Sequence, residues 1–536
     1  MTSAESPSFD LITEPWLPVR MRDGRTREVG LHDAFALAHD IAGFDVEFPT
    51  QEPALLRLLL AICYRALEGP ENRDEWEGLW ASPTLPVERF SRYFARWRER
   101  FDLFHPAAPF FGSPHLEPAG KDGIRPASWL VAHAPADNSI PVFTPITRAM
   151  ALVLRPSEAA RWLVERHAWG TTADRTGAKD NPQVKNGRDT PRIGHLGWIG
   201  FVAPLGRTLK ETLLLNLVPW CTTTLVTSGP DDLPAWERPP TGPTREMRPP
   251  DGTCDLFTWQ GRRIRLYPED RDGELVVARV LICAGDDVLQ EAIRNADPHT
   301  GWRLRKQPGG TIQYMPIKVH VGQQVWRGLA SLLALEPDST RAGVLSWLAT
   351  IEEHVPTLSL LVTSAKYGDQ AATLDDFLGD RLDAAVSLLR RDDPEAAALA
   401  LGAASLAVEA GRALWNVANA PFLTYDQQHG RYEVPDGAQG QARAGRDAIA
   451  EELYSELDAP FRKLLVDLGT PQYRLEARVG WAEVVTRTAL RIARRSLERL
   501  SASEAFFGAM AEGWFLGNLS RARADFAPFS TNVEGT

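Results

Sequence analysis

From residue 394 onward the apolar residues of this chain recur at helical spacing in successive blocks. The blocks cover 394–418, 438–468, 474–500 and 503–516, each with apolar positions three and four residues apart. Helices joined by connections this short lie antiparallel and share one core, so this part reads as a bundle. A block at 374–389 has the same spacing and reads as a further helix leading into it. Upstream the pattern is mixed. Forty prolines and seventeen tryptophans imply ordered loops with aromatic anchors, and no internal period emerges. The expected fold class is therefore α+β: a large mixed N-terminal domain with long loops, then a C-terminal antiparallel four-helix bundle. The boundaries read as 1–365 for the first domain, 366–373 for a junction loop and 374–536 for the bundle.

Within the first part, 9–19 alternates around Pro15 and Pro18 and reads as an edge strand. Arg22-Asp23-Gly24-Arg25 signals a hairpin turn, with 26–29 returning. Helices are expected at 31–40, 53–67, 88–100, 156–167, 209–217, 322–335 and 343–354. The stretch 53–67 is apolar nearly all round, the mark of a core helix. Short strands are expected at 255–266, around Gly261, and at 274–283. Residues 228–252 carry seven prolines and read as a surface connection. The run 171–200 has almost no apolar periodicity, which is uncommon inside a globular domain and is usually functional or disordered.

A chain of 536 residues can bury a large core. Its 44% hydrophobic and 24% charged content is that of a soluble globular protein. The sequence contains no stretch of roughly 18 uninterrupted apolar residues and no signal pattern at the start, so no membrane partner and a cytoplasmic location are expected. Cys63, Cys221, Cys254 and Cys283 are far apart, which signals neither a zinc knuckle nor a disulfide framework. A net charge of −11 argues against a free-standing nucleic-acid coat but leaves room for a local basic patch.

Motifs for a P-loop, HExxH, GxSxG or an EF-hand are absent from the sequence. The doublets His32-Asp33 and His39-Asp40 occur in metal-dependent phosphohydrolases, but such sites need more ligands from other helices. Asp33 is explained as readily by the start of a helix. With no catalytic constellation, an enzyme is not expected, and neither a cofactor nor a metal is called for.

Two basic features remain. In the loop, Lys185-Asn186-Gly187-Arg188 puts backbone N–H groups and two cations at one turn, with Arg175, Lys179 and Arg192 around it against Asp174, Asp180 and Asp189. That suits a phosphate backbone or a minor-groove edge, because Gly187 has no side chain to hold surfaces apart. A solvated loop fits as well. In the 474–500 helix, Arg487, Arg491, Arg494, Arg495 and Arg499 recur mostly three or four residues apart. They could track a nucleic-acid strand, or pair with the acidic helix at 447–458. Finally, the apolar run Leu360-Leu361-Val362 breaks into Gly368-Asp369-Gln370-Ala371, a turn with Gln370 at its tip. Thr373 stands where a helix would be capped. Alone, this is an ordinary turn; a rigid mount for a probing side chain is the alternative.

Taken in order, FDLITEPWLPVR, LHDAF, RFDLFHPAAPFF, the basic glycine loop, TLKETLLLNLVPW, LPAWER, DLFTWQGRRIRL, ADPHTGWR, VWRGLASLL and the terminal helices resemble the CasA family. CasA is the large subunit of the type I-E CRISPR surveillance complex, Cascade. The resemblance runs from about residue 9 to the last helix. It implies a non-catalytic subunit that checks the protospacer-adjacent motif in double-stranded target DNA, starts strand separation and R-loop formation, and helps recruit a helicase–nuclease. Its partners would be the other Cascade subunits and crRNA. The family's glutamine wedge matches Gly368, Asp369, Gln370 and Ala371, and its glycine loop matches Lys185, Asn186, Gly187 and Arg188. A loop near the crRNA end falls within 132–147, with Asn138 and Phe143 as its contacts. A lysine finger is expected in 276–295, which holds no lysine, so Arg279 would replace it. The cysteine cluster of some relatives is missing. The alternatives are an HD-type metal-dependent phosphohydrolase or a purely structural assembly subunit.

Overall fold

A computed structural model of the chain describes residues 7–134, 152–220, 229–306, 309–334 and 338–527. The chain divides into two compact units. One comprises 1–322, 334–347 and 359–381; the other comprises 323–333, 348–358 and 382–536.

The first unit opens on a hairpin of β1 (Leu17–Met21) and β2 (Thr26–Val29), with β3 (Ile41–Phe44) antiparallel on the other side of β1. Leu17 and Val19 alternate into the core with no exposure. Helix α1 (Gln51–Leu67) is buried on all sides except at Arg65, as its continuous apolar sequence requires. One buried position is a cation: Arg57 pairs with Asp297 at 2.6 Å and lies over Phe201 and Phe257, 5.3 and 5.0 Å from the ring centroids. Helix α2 (Pro156–Trp169) packs against α1. Pro156 suits its first turn, and Glu158 accepts the Arg155 backbone N–H at 2.8 Å. Three further strands follow: β4 (Phe201–Leu205), then the longer β5 (Arg262–Arg271) antiparallel to β6 (Glu274–Ala284).

The last sheet departs from expectation. β7 (Thr357–Tyr367) pairs antiparallel with β4, and β8 (Leu374–Ala385) lies on its other side. The block 374–389 is thus a strand ending in a short 3-10 turn, Val386–Leu389, and not a helix. Its helical spacing is overridden because β7 offers a ladder one tight turn away. Phe377 then packs on Phe48, ring centroids 4.7 Å apart. Thr373 caps no helix; its hydroxyl donates to Asp375 Oδ1 at 2.6 Å. Elsewhere in this unit, part of the expected strand at 255–266 is a short helix, Thr253–Phe257, and the helix expected at 31–40 stops at Leu31–Ala36.

The second unit is built on four helices: α3 (Pro394–Asn419), α4 (Gln439–Asp467), α5 (Arg474–Leu497) and α6 (Ala505–Phe526). Helix α3 is apolar enough in composition to cross a membrane, yet its alanine stripe, Ala396, Ala400, Ala403, Ala407 and Ala410, is buried against its neighbours. Small residues there admit large ones opposite. Trp481 of α5 donates its indole N–H to the Ala403 carbonyl at 3.0 Å and meets Phe461 of α4 edge-on at 5.2 Å. Arg474 fastens the start of α5, donating to Leu468 O and pairing with Asp393 and Glu395.

Candidate nucleic-acid interface

The geometry of interest starts at the C-terminal end of α2. Arg166 there is buried and paired with Asp174, and Asp174 also accepts from Arg262 Nε at 2.8 Å. Arg262 Nη2 donates to the Thr171 carbonyl at 2.7 Å. Burial would raise the Asp174 pKa, but the two guanidiniums outweigh it and hold the carboxyl below its usual range. Asp174 is therefore the charged pin that fixes residues 171–174 to the core. Glu165, one turn back, accepts from Thr50 Oγ1 at 2.7 Å, and burial raises its pKa to about 7. His167 is driven down to about 3 by burial, so its ring is neutral.

Thr172, within the segment this pin fixes, grips the turn between β7 and β8. Its N–H donates to the Ala371 carbonyl at 3.0 Å and its hydroxyl to the Gln370 carbonyl at 2.7 Å. Both acceptor residues have left-handed backbones, with φ 51° at Gln370 and 56° at Ala371. Such conformations cost roughly 1–3 kcal/mol each and persist only when the surroundings hold them. Two further bonds close the turn: Gly368 N–H to Thr373 O and Ala371 N–H to Gly368 O, both 3.0 Å. Tyr367 anchors its base by donating to the Trp169 carbonyl at 2.7 Å. A Cβ at Gly368 would lie 2.3 Å from Thr373 Oγ1 and 2.5 Å from Asp375 Oδ1, so those two side chains would have to swing aside. Asp369 and Gln370 are exposed, and the Gln370 amide has no partner among the described residues.

The loop that follows Thr172 is ordered despite its sequence. Thr176 bridges to Cys283 of β6 and to Arg188, and Gly177 N–H donates to Gly187 O at 3.0 Å. Lys185 and Arg188 exchange backbone bonds of 2.9 and 3.0 Å around Asn186 (φ 53°) and Gly187 (φ 73°). Two positive φ values at the centre of a two-residue turn define type I′, for which Asn-Gly is the favoured pair. The acids Asp174 and Asp189 point inward, Asp189 to Arg245 at 2.8 Å. Lys179 is held by Glu117 at 2.6 Å, and Arg192 stands 4.0 Å from Asp287. Lys185 and Arg188 are exposed and carry no ion pair among the described residues. One scaffold thus presents an unengaged amide and two unpaired cations.

The other expected residues fall elsewhere. Asn138 and Phe143 lie outside the described residues. Arg279 is exposed on β6 and donates to Glu269 at 3.0 Å. His32 contacts Asp33 and Ser91, and His39 contacts Asp40; neither belongs to a group of three potential metal ligands among the described residues. On the bundle, Arg491 pairs with Glu456 and Arg495 with Glu452, both from α4, while Arg487 and Arg494 have no ion pair among the described residues. Thr172, Asp174, Arg166 and Arg262 were not singled out as site residues in the sequence. Asp174 stood out only as a counter-charge, because its partners are distant in sequence.

The family model for the CRISPR-associated protein Cse1 matches residues 10–492. The crystal structure of Cse1 from Acidimicrobium ferrooxidans is 52% identical with a TM-score of 0.92, covering 97% of this chain and 99% of that one. The CasA/Cse1 protein of Thermus thermophilus is 33% identical over 280 residues, 49% of this chain; the match spans about half the length of that relative, 49%. A chain of a CRISPR RNA-guided surveillance complex shares the fold, at 20% identity and a TM-score of 0.69, with 97% of this chain and 99% of that one covered.

Proposed function

The chain belongs to the CRISPR-associated Cse1 family, and we propose that it is the large subunit of an RNA-guided surveillance complex, reading a short motif in duplex DNA and starting its opening. The observation that carries this reading is Thr172, whose two bonds tie the exposed Gln370 turn to the root of the basic Asn-Gly loop. The minor groove mainly separates A·T from G·C, so Lys185, Gly187 and Arg188 would read it permissively. Gln370 then acts at the adjoining base step, where unstacking costs roughly a few kcal/mol. Pairing with guide RNA replaces the lost stacking at near balance, so the protein has only to nucleate opening. In this reading the subunit performs no chemistry of its own, and the later recruited helicase–nuclease cuts the target.

The test uses the reconstituted complex with Gln370→Ala and with Gly187→Asp. Asp at position 187 adds a charge where the left-handed backbone disfavours it. Binding to motif-bearing and motif-lacking duplexes is compared, and R-loops are followed by permanganate reactivity. Expected results are loss of motif discrimination for Gly187→Asp and slowed opening with near-normal initial binding for Gln370→Ala. Wild-type behaviour in both variants would overturn the assignment.

A further inference from the structure

Away from this interface, a concave site of about 610 Å³ opens beside helix Val87–Trp97 of the first unit. Its walls include Arg89, Arg92, Arg96, Trp97 and Trp220. Arg89, Arg92 and Arg96 stand at i, i+3 and i+7, which puts them in one row on the helix surface, about 5–6 Å between neighbours. Arg89 is exposed and donates to the Leu67 carbonyl at 2.8 Å, while Arg92 and Arg96 are exposed and have no ion pair among the described residues. Of the two carboxylates at the site, Glu68 is exposed and forms no ion pair with them among the described residues, and Glu237 does not neutralise them. It takes two hydrogen bonds from Arg65, 2.9 and 2.8 Å, and a third from Tyr93 Oη at 2.7 Å.

Two further features distinguish this patch from a solvated cationic face. The Arg96 guanidinium lies over the Trp97 ring, 5.3 Å from its centroid, forming a planar cationic wall. The Trp220 indole N–H is buried at the site and has no acceptor among the described residues. A buried donor without a partner is costly unless a ligand atom reaches it.

We infer that this is a second nucleic-acid site, taking a single strand with its phosphates along Arg89, Arg92 and Arg96 and one base in the Trp97–Trp220 pocket. Spaced cations beside aromatic walls are what a strand needs: charge to follow the backbone and flat surfaces for bases. The volume lies within the range of pockets that enclose a small aromatic ligand. An acidic protein segment would use the arginines but leave the stacking wall idle. The inference stands independently of the Gln370 and Lys185–Arg188 reading, since it uses none of those residues.

The experiment measures fluorescence anisotropy of a labelled oligothymidylate with the purified full chain across a salt series. It is run in the wild type and in a Lys185→Glu/Arg188→Glu background, so that the two sites report separately. In both backgrounds Arg92→Gln/Arg96→Gln should weaken binding at least tenfold and lower the salt slope by about 1.4, the loss of two single-strand phosphate contacts. Trp97→Ala should weaken oligothymidylate but leave an abasic oligomer of equal length unaffected. The exposed arginine variants should keep the wild-type melting temperature. Unchanged affinity and slope in the arginine variants would overturn the site. So would polyglutamate competing as well as oligothymidylate at equal charge, which would mark an acidic-protein surface instead.

Discussion

The loop after Thr172 and the outer face of α5 carry similar numbers of arginines and lysines, but their carboxylates are arranged in opposite ways. In the loop, Asp174 and Asp189 turn inward to Arg166, Arg262 and Arg245, so Lys185 and Arg188 face outward alone. On α5, glutamates of the adjacent helix reach Arg491 and Arg495 directly. A count of charges along the sequence does not separate these cases. The direction in which the counter-charges point does: in the loop it leaves Lys185 and Arg188 as a free cationic tip, and on α5 it covers Arg491 and Arg495 while Arg487 and Arg494 stay without an ion pair among the described residues.

That contrast is breakable at its anchor. Asp174→Asn leaves two buried arginines facing a neutral group, and breaking a buried pair costs about 3–5 kcal/mol. A strongly lowered melting midpoint is expected, together with protease cleavage within the loop. A midpoint within a degree of the wild type would show that the loop is held by something else.

The next effect depends on pH. Folded Glu165 releases its proton near pH 7 and the unfolded side chain near 4.5, so the folded chain binds more protons between these values. Stability is therefore lost as pH rises through that window. Glu165→Gln should flatten this segment and raise the melting midpoint at pH 8, a gain of up to about 3 kcal/mol. His167 works in the opposite direction. Between pH 6.5 and about 3 the unfolded chain takes a proton that the folded chain refuses, so its contribution is lost on acidification. A Glu165→Gln variant that is destabilised at pH 8 would contradict the buried, costly carboxylate. The exposed pairs of α5 should show salt sensitivity instead.

Charge reversal sharpens the comparison with smaller effects. Lys185→Glu/Arg188→Glu should weaken duplex binding by the assembled complex about tenfold, or about 1.4 kcal/mol, with a shallower salt slope. Arg491→Ala/Arg495→Ala should change chain stability by less than about 1 kcal/mol per pair, as exposed ion pairs do. The comparison collapses if the loop variant binds normally in a filter-binding assay, or if the bundle variant loses several kcal/mol in thermal denaturation.

Much of the bundle was legible because its cores repeat at helical spacing: the expected 474–500 helix ends only three residues later than α5 does, at Leu497. The Asn-Gly turn was legible as well, since its conformation is dictated locally. β8 was not. Leu374, Phe377, Leu378 and Leu382 fit a helix, and only pairing with β7 makes them a strand. Nor was the pin legible, because Asp174 and Arg262 are 88 residues apart and nothing local marks them as partners. For the proposed interface, the sequence pointed to Gln370, Lys185 and Arg188. Their shared mounting needed Thr172, one hydroxyl in a Thr-Thr pair.

Thr172 also restricts how this protein can be re-engineered. Its hydroxyl and amide belong to the loop, but the strained carbonyls they hold belong to a turn almost two hundred residues away. A loop grafted from a relative would arrive without a matched grip unless its donor supplies the same two hydrogen bonds. The turn would then relax toward ordinary backbone angles. In the proposed reading, motif preference and strand opening form one inheritable module in two pieces, and swapping either piece alone should cost the function of both.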